Sequence, residues 1–196
     1  MTTAYEAKLI RTCVDADPHT LVFRRSQRDR TPFALLADDD PDDVLGVTFD
    51  RPAGFLEDWT ARVGTRPRRV GVVGVGDRMR STAASAGSDS NAVRGVADPT
   101  DGAAIRAAAA DYLDAWPDDG RAVVCFDSAT ALLEHRPVDE AADFLVDFRQ
   151  LLDEHGAAGY VCLDPSAHDS DAVRTIGSLF DTVVECLDGG ATGGSE

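Results

Sequence analysis

Lysine is almost missing from this chain. Lys8 is the sole lysine, so nearly all of the 19 Lys and Arg are arginine, set against 35 Asp and Glu for a formal net charge of −16. A mechanism that needs a lysine has only Lys8 to use. That excludes a P-loop lysine, a Schiff-base lysine on a core strand and the C-terminal lysine of a phosphoacceptor receiver domain. Cysteine is scarce and scattered: Cys13, Cys125, Cys162 and Cys186 stand singly, with no CxxC spacing. They read as small buried hydrophobes in a reducing compartment. His19, His135, His155 and His168 are equally dispersed, none with a metal partner at helical spacing, so no metal site is expected. No apolar run approaches the about 18 residues a membrane span requires, and no secretory segment opens the chain. The expectation is a cytoplasmic protein with no membrane partner. No basic stripe offsets the acidity, which argues against nucleic acid, whose binding depends on counterion release from phosphates.

What the chain does have is enough apolar residues for a core, 43% of 196. A domain of this length buries roughly 70% of its unfolded surface, so one domain is expected over 1–187, followed by a flexible tail at 188–196 with the composition of a linker. The acids are skewed to aspartate, with runs at Asp38-Asp39-Asp40 and Asp42-Asp43. Strong acidity without lysine fits a protein kept soluble in molar salt, where the Debye length shrinks to about 3 Å. The reading is the cytoplasm of an extremely halophilic archaeon.

Short Val-rich runs at Leu21–Phe23, Val44–Phe49, Val70–Val75, Ala122–Phe126, Tyr160–Leu163 and Thr182–Leu187 are bounded by turn or charge signals. They predict strands buried on both faces. Helical spacing predicts helices over Gly54–Val63, Asp101–Trp116 and Asp139–His155, and a short amphipathic helix over 3–14. Strand alternating with helix implies parallel pairing with right-handed crossovers, so the fold class is α/β, doubly wound, with a mostly parallel sheet and helices on both faces. Residues 79–100, poor in large apolar side chains, are expected as a flexible loop or insertion.

The strongest local signal is the apolar strand ending in Asp127-Ser128. On spacing alone, an aspartate after a strand reads as a cap for the next helix or turn, here and at Asp50, Asp77 and Asp164. Ser128 is not in a GxSxG elbow. Over a longer span, residues 123–185 resemble the second half of a RecA/KaiC-type ATPase core. A Walker B strand runs into Asp127-Ser128, a helix follows, Gly156-Ala157-Ala158-Gly159 leads into the next strand, and Ala167-His168-Asp169 and Phe180-Asp181 close the segment. Val44–Phe49 with Asp50 extends the likeness to a KaiC-like second strand. The resemblance implies a P-loop fold and a haloarchaeal branch of the KaiC-like proteins.

The same resemblance implies a phosphate loop after the first strand, where this chain reads Arg24-Arg25-Ser26-Gln27-Arg28-Asp29-Arg30-Thr31. Arg24 and Asp29 fall at the two glycine positions, Arg30 at the lysine and Thr31 at the Mg²⁺-binding hydroxyl. No glycine occurs before Gly46, and a phosphate nest needs the positive φ and close approach that glycine permits. Paired glutamates that such ATPases carry after the second strand are replaced by Asp50-Arg51. The expectation is therefore a non-catalytic KaiC-like protein with no cofactor, acting through protein–protein contacts in signalling or transcriptional control, with self-association open to it. In a parallel sheet, Arg24, Arg25, Arg28, Arg30, Arg51, Arg78 and Arg80 lie just beyond strand carboxyl ends. They form an edge for an anion or an acidic partner, or a network with Asp29, Asp50, Asp77 and Asp127. The rival readings are a Mg-ATP- or GTP-binding enzyme using Arg30, Thr31, Asp127 and Ser128, and a flavodoxin-like signalling domain.

Overall fold

The computed structural model describes residues 8–13, 18–24, 41–50, 52–63, 67–76, 93–117 and 120–187. Among them eight strands form one sheet: β1 (Lys8–Cys13), β2 (His19–Phe23), β3 (Asp43–Thr48), β4 (Arg69–Val75), β5 (Val93–Val96), β6 (Ala122–Asp127), β7 (Ala158–Leu163) and β8 (Thr182–Leu187). The helices are α1 (Pro52–Val63), α2 (Gly102–Ala115), α3 (Ala129–His135), α4 (Val138–Glu154) and α5 (Ser170–Gly177). The order across the sheet is β1-β8-β2-β7-β6-β3-β4-β5. Every neighbouring pair is parallel except β1 with β8. The chain is a doubly wound α/β fold, as its patterning implies.

The strands carry apolar residues at successive positions because both faces are covered. Leu21, Leu45, Val47, Val73, Val124, Phe126 and Val161 point to one face and join Ile105, Leu132, Phe144, Phe148 and Ile176 of α2–α5. The intervening Val22, Val44, Val72, Val123, Cys125, Tyr160 and Cys162 point to the other, where Phe55 and Trp59 of α1 meet them. The handedness rule accounts for this division. The step from β3 to β4 runs one way along the sheet and the step from β6 to β7 the other, so right-handed crossovers place α1 and α3–α4 on opposite faces. Phe126 is the centre of the larger cluster, its ring 5.4 Å from Phe148 and 5.8 Å from Phe144. Where α1 and α2 sit closest to the sheet, the strands carry glycine. A Cβ at Gly46 would stand 2.7 Å from the Phe55 ring, and one at Gly71 would stand 2.8 Å from Tyr112.

Two expectations are corrected. The helix expected over 3–14 is strand β1 across Lys8–Cys13, because antiparallel pairing with β8 gives its backbone a ladder that a short isolated helix lacks. The end of the 79–100 stretch is not loop: Val93–Val96 adds β5 beside β4. Residues 79–92 of that stretch, and the tail at 188–196, lie outside the described residues. Two helices were not visible as apolar periods, α3 and α5; each is short and is set by its cap. Ser128 accepts from Ala131 N–H, and Asp169 accepts from the N–H groups of Asp171 and Ala172.

Candidate functional site at the carboxyl edge

The parallel strands β2, β7, β6 and β3 end together on the edge where α/β sheets bind ligands. A cleft of ≈ 330 Å³ opens there. Arg24 and Asp127 line it from the ends of β2 and β6, Phe49 and Asp50 from the end of β3, and Ser128, Ala131, Glu134 and His135 from α3 and its cap.

Arg24 follows β2 directly. Its N–H donates to Leu163 O at 2.9 Å, extending the β2–β7 ladder by one residue and holding the residue in place. The side chain then reaches past β7 to the end of β6. Nη1 donates to Asp127 Oδ2 at 3.3 Å and Nη2 donates to Oδ1, a two-pronged contact that engages both carboxylate oxygens. Arg24 is only 3% exposed. Burial opposes its charge, but Cys162 and Asp127 beside it more than compensate, so the guanidinium holds its proton more firmly than usual. Burial also pushes the Asp127 carboxyl above the ordinary range; Arg24 opposes that rise and the charge of Asp50 adds to it. Among the described residues, the cleft sets three carboxylates, Asp50, Asp127 and Glu134, against one arginine and one histidine.

Asp127 and Ser128 have separate tasks. Ser128, 1% exposed, accepts the Ala131 N–H at 3.2 Å as the N-cap of α3. Asp127 caps nothing and serves Arg24. The cap reading of strand-terminal aspartates therefore fails at Asp127, though it holds at Asp164, whose carboxylate accepts the Ser166 N–H at 2.9 Å. The Mg²⁺ that a P-loop resemblance implies does not fit this arrangement, since both oxygens of Asp127 are taken by a guanidinium and the Ser128 oxygen by a helix cap. Among the described residues no group of three or more His, Cys, Asp or Glu is placed to hold a metal.

Of the residues singled out by sequence, the structure brings together Arg24, Asp50, Asp127 and Ser128. Arg25, Arg28, Arg30, Thr31, Arg51, Arg78 and Arg80 lie outside the described residues. Sequence reasoning missed Glu134 and His135 as cleft residues. Their signal was helical spacing: three and four residues beyond Ala131, they return to its face of α3. Beneath Arg24, the buried Cys125 and Cys162 lie on the same sheet face of β6 and β7. A hydrogen bond with Cys162, together with burial, pushes the Cys125 thiol well up, as befits an inert core side chain.

No helix among the described residues is long and apolar enough to cross a membrane. No curated protein matches the chain. The Family of unknown function (DUF7504) has a model that matches residues 20–186, from β2 into β8, and the chain belongs to that family.

Proposed function

We propose that this protein is a non-catalytic regulatory or scaffolding module of KaiC/RecA-like build, acting through protein–protein contacts in signalling or transcriptional control in a halophilic archaeon. One observation carries the reading. The carboxylate that a P-loop ATPase turns toward its metal is turned here toward Arg24, on both oxygens. Among the described residues of the cleft, the carboxylates Asp50, Asp127 and Glu134 outnumber Arg24 and His135, a balance that disfavours a polyphosphate. The fold persists without that chemistry because its stability resides in the buried strands, while the phosphate loop is a separable graft.

The strand order supports the KaiC/RecA-like part of the reading. In that type the Walker B strand lies beside the first strand or one strand removed, and the sheet continues past the first strand with the later ones. Here β7 alone separates β2 from β6, and β8 lies beyond β2. A flavodoxin-like 2-1-3-4-5 order would flank the first parallel strand with the second and third. Instead β2 lies between β7 and β8, which weighs against that alternative. The partner is a protein, a second copy of the chain included, rather than nucleic acid or membrane.

Calorimetric titration of the full chain with Mg-ATP and Mg-GTP in molar KCl tests the proposal. No micromolar binding is expected. Micromolar binding that disappears in Asp127→Ala would overturn it in favour of a nucleotide-binding enzyme with an unorthodox loop.

A further inference from the structure

The C-terminal end of α4 is held from two sides. Asp153, in its last turn, accepts from Nε2 of His19, the first residue of β2, at 2.9 Å. Two residues on, His155 faces α2, where Asp114 accepts from Nε2 while the Leu151 carbonyl accepts from Nδ1. The roles are reversed between the two sides: α4 supplies the carboxylate toward β2 and the imidazole toward α2. His19 is sealed in the core, whereas the His155 side chain is 22% exposed and that of Asp114 71%, so solvent reaches the α2 side directly. A third tie, from Arg106 Nη2 to Glu154 Oε2 at 3.5 Å, also joins α2 to α4, and an arginine keeps its charge as pH rises.

The two imidazoles answer a loss of charge differently. A neutral ring with its proton on Nε2 still donates to Asp153, so the tie to β2 needs no charge; β7 sets the uncharged Gly159 against that ring. On the α2 side a neutral ring has one proton for two acceptors. Kept on Nδ1, it leaves a bare Nε2 lone pair facing Asp114; kept on Nε2, it leaves one facing the Leu151 carbonyl. The charges acting on His155 are those of Asp114, from α2, and Glu154, from α4 itself, the latter offset by Arg106.

We infer that the seam between α2 and α4 carries a pH-gated clasp: charged His155 closes the last turn of α4 onto α2, and as His155 loses its proton that turn releases α2 and opens locally, while His19 keeps it on β2. Behind the clasp, Ile105, Ala109 and Leu113 of α2 and Phe148, Leu151 and Leu152 of α4 share one core cluster, which confines the opening to the helix end.

The test is amide hydrogen exchange, read by NMR on the full chain in molar KCl over a pH series from 5.5 to 8.5 and corrected for the intrinsic exchange rate. The reporting amides are those of His155, Gly156 and Ala157, which donate to the carbonyls of Leu152 and Asp153. In the unaltered chain their opening is expected to rise about threefold across the series, with no matching step in β2. His155→Gln is expected to show the more open value at every pH. Asp114→Asn is expected to keep the step but move it to lower pH, because the Asp114 bond is what chiefly holds the His155 proton. Arg106→Gln is expected to loosen the helix end at every pH and leave the step where it was. Four results would overturn the inference: no step in the unaltered chain, a step that survives His155→Gln, a step that Asp114→Asn does not move, or an equal step in β2.

Discussion

His155, at the C-terminal end of α4, places Nε2 2.9 Å from a carboxylate oxygen of Asp114 in the last turn of α2. Its other ring nitrogen, Nδ1, lies 2.9 Å from the carbonyl oxygen of Leu151. Both partners are acceptors, so only the doubly protonated imidazolium donates to both at once. The Asp114 bond is the chief reason that the His155 pKa is raised above 6.5; partial burial opposes it, and the Leu151 carbonyl assists. The dipole of α4 favours the same charge.

A pH dependence follows from that geometry. The folded chain holds this proton more tightly than the unfolded chain does. The contribution is therefore fully present below the unfolded value of 6.5, and it is lost as pH rises through the higher folded value. His155→Gln is expected to cost about 0.5–1 kcal/mol at pH 5.5 and little at pH 8.5. Denaturant unfolding of both chains at the two pH values checks this; an equal loss at both would count against the charged form.

Also at the amino edge of the sheet, Asp43 and Arg69 are partners in the β3–β4 register. Arg69 donates from Nε at 2.7 Å and from Nη2 at 2.6 Å to an Asp43 that is 1% exposed. Asp43→Leu breaks a buried, two-pronged ion pair and is expected to cost about 3–5 kcal/mol. Asp43→Leu with Arg69→Met removes both charges and is expected to cost less than Asp43→Leu alone. Unfolding free energies for the two variants and the unaltered chain give the answer.

Gly46→Ala tests the seat of α1 on β3. The added Cβ meets the Phe55 ring at 2.7 Å in a buried strand, an overpacking expected to cost about 1–3 kcal/mol. Phe55→Leu is expected to cost stability in the parent chain but much less in the Gly46→Ala chain. Additive losses in that double-mutant cycle would show that the two side chains do not meet.

Most of the sheet was legible because a strand buried on both faces needs nothing from the rest of the chain to announce itself: Val70–Val75 and Ala122–Phe126 are apolar throughout. The edges were less legible. The apolar residues at Ala4, Ala7, Ile10 and Val14 have near-helical spacing and so predict a helix where β1 lies, and nothing local reveals that β8 runs antiparallel beside it. In β5, Val93 and Val96 enclose Arg94 and Gly95, which are exposed, so a four-residue edge strand carries little apolar signal. At the site, Asp127 stood out as the end of an apolar strand, and Arg24 as a charge where a phosphate loop wants glycine. That Ser128 rather than Asp127 caps α3 depends on a backbone turn that spacing does not encode.

The amino-acid sequence by itself determined the alternation of buried strands and amphipathic helices, because burial periodicity is written residue by residue. It also determined the chemistry on hand, arginine without lysine and aspartate at strand ends. Only the tertiary structure decided which of those charges meet. Arg24 and Asp127 are far apart along the chain and become neighbours because β7, made between α4 and α5, inserts between their strands and brings the two ends within reach of one guanidinium. Pairing across a sheet is a non-local choice, settled by which strands share a core rather than by any residue's own neighbours.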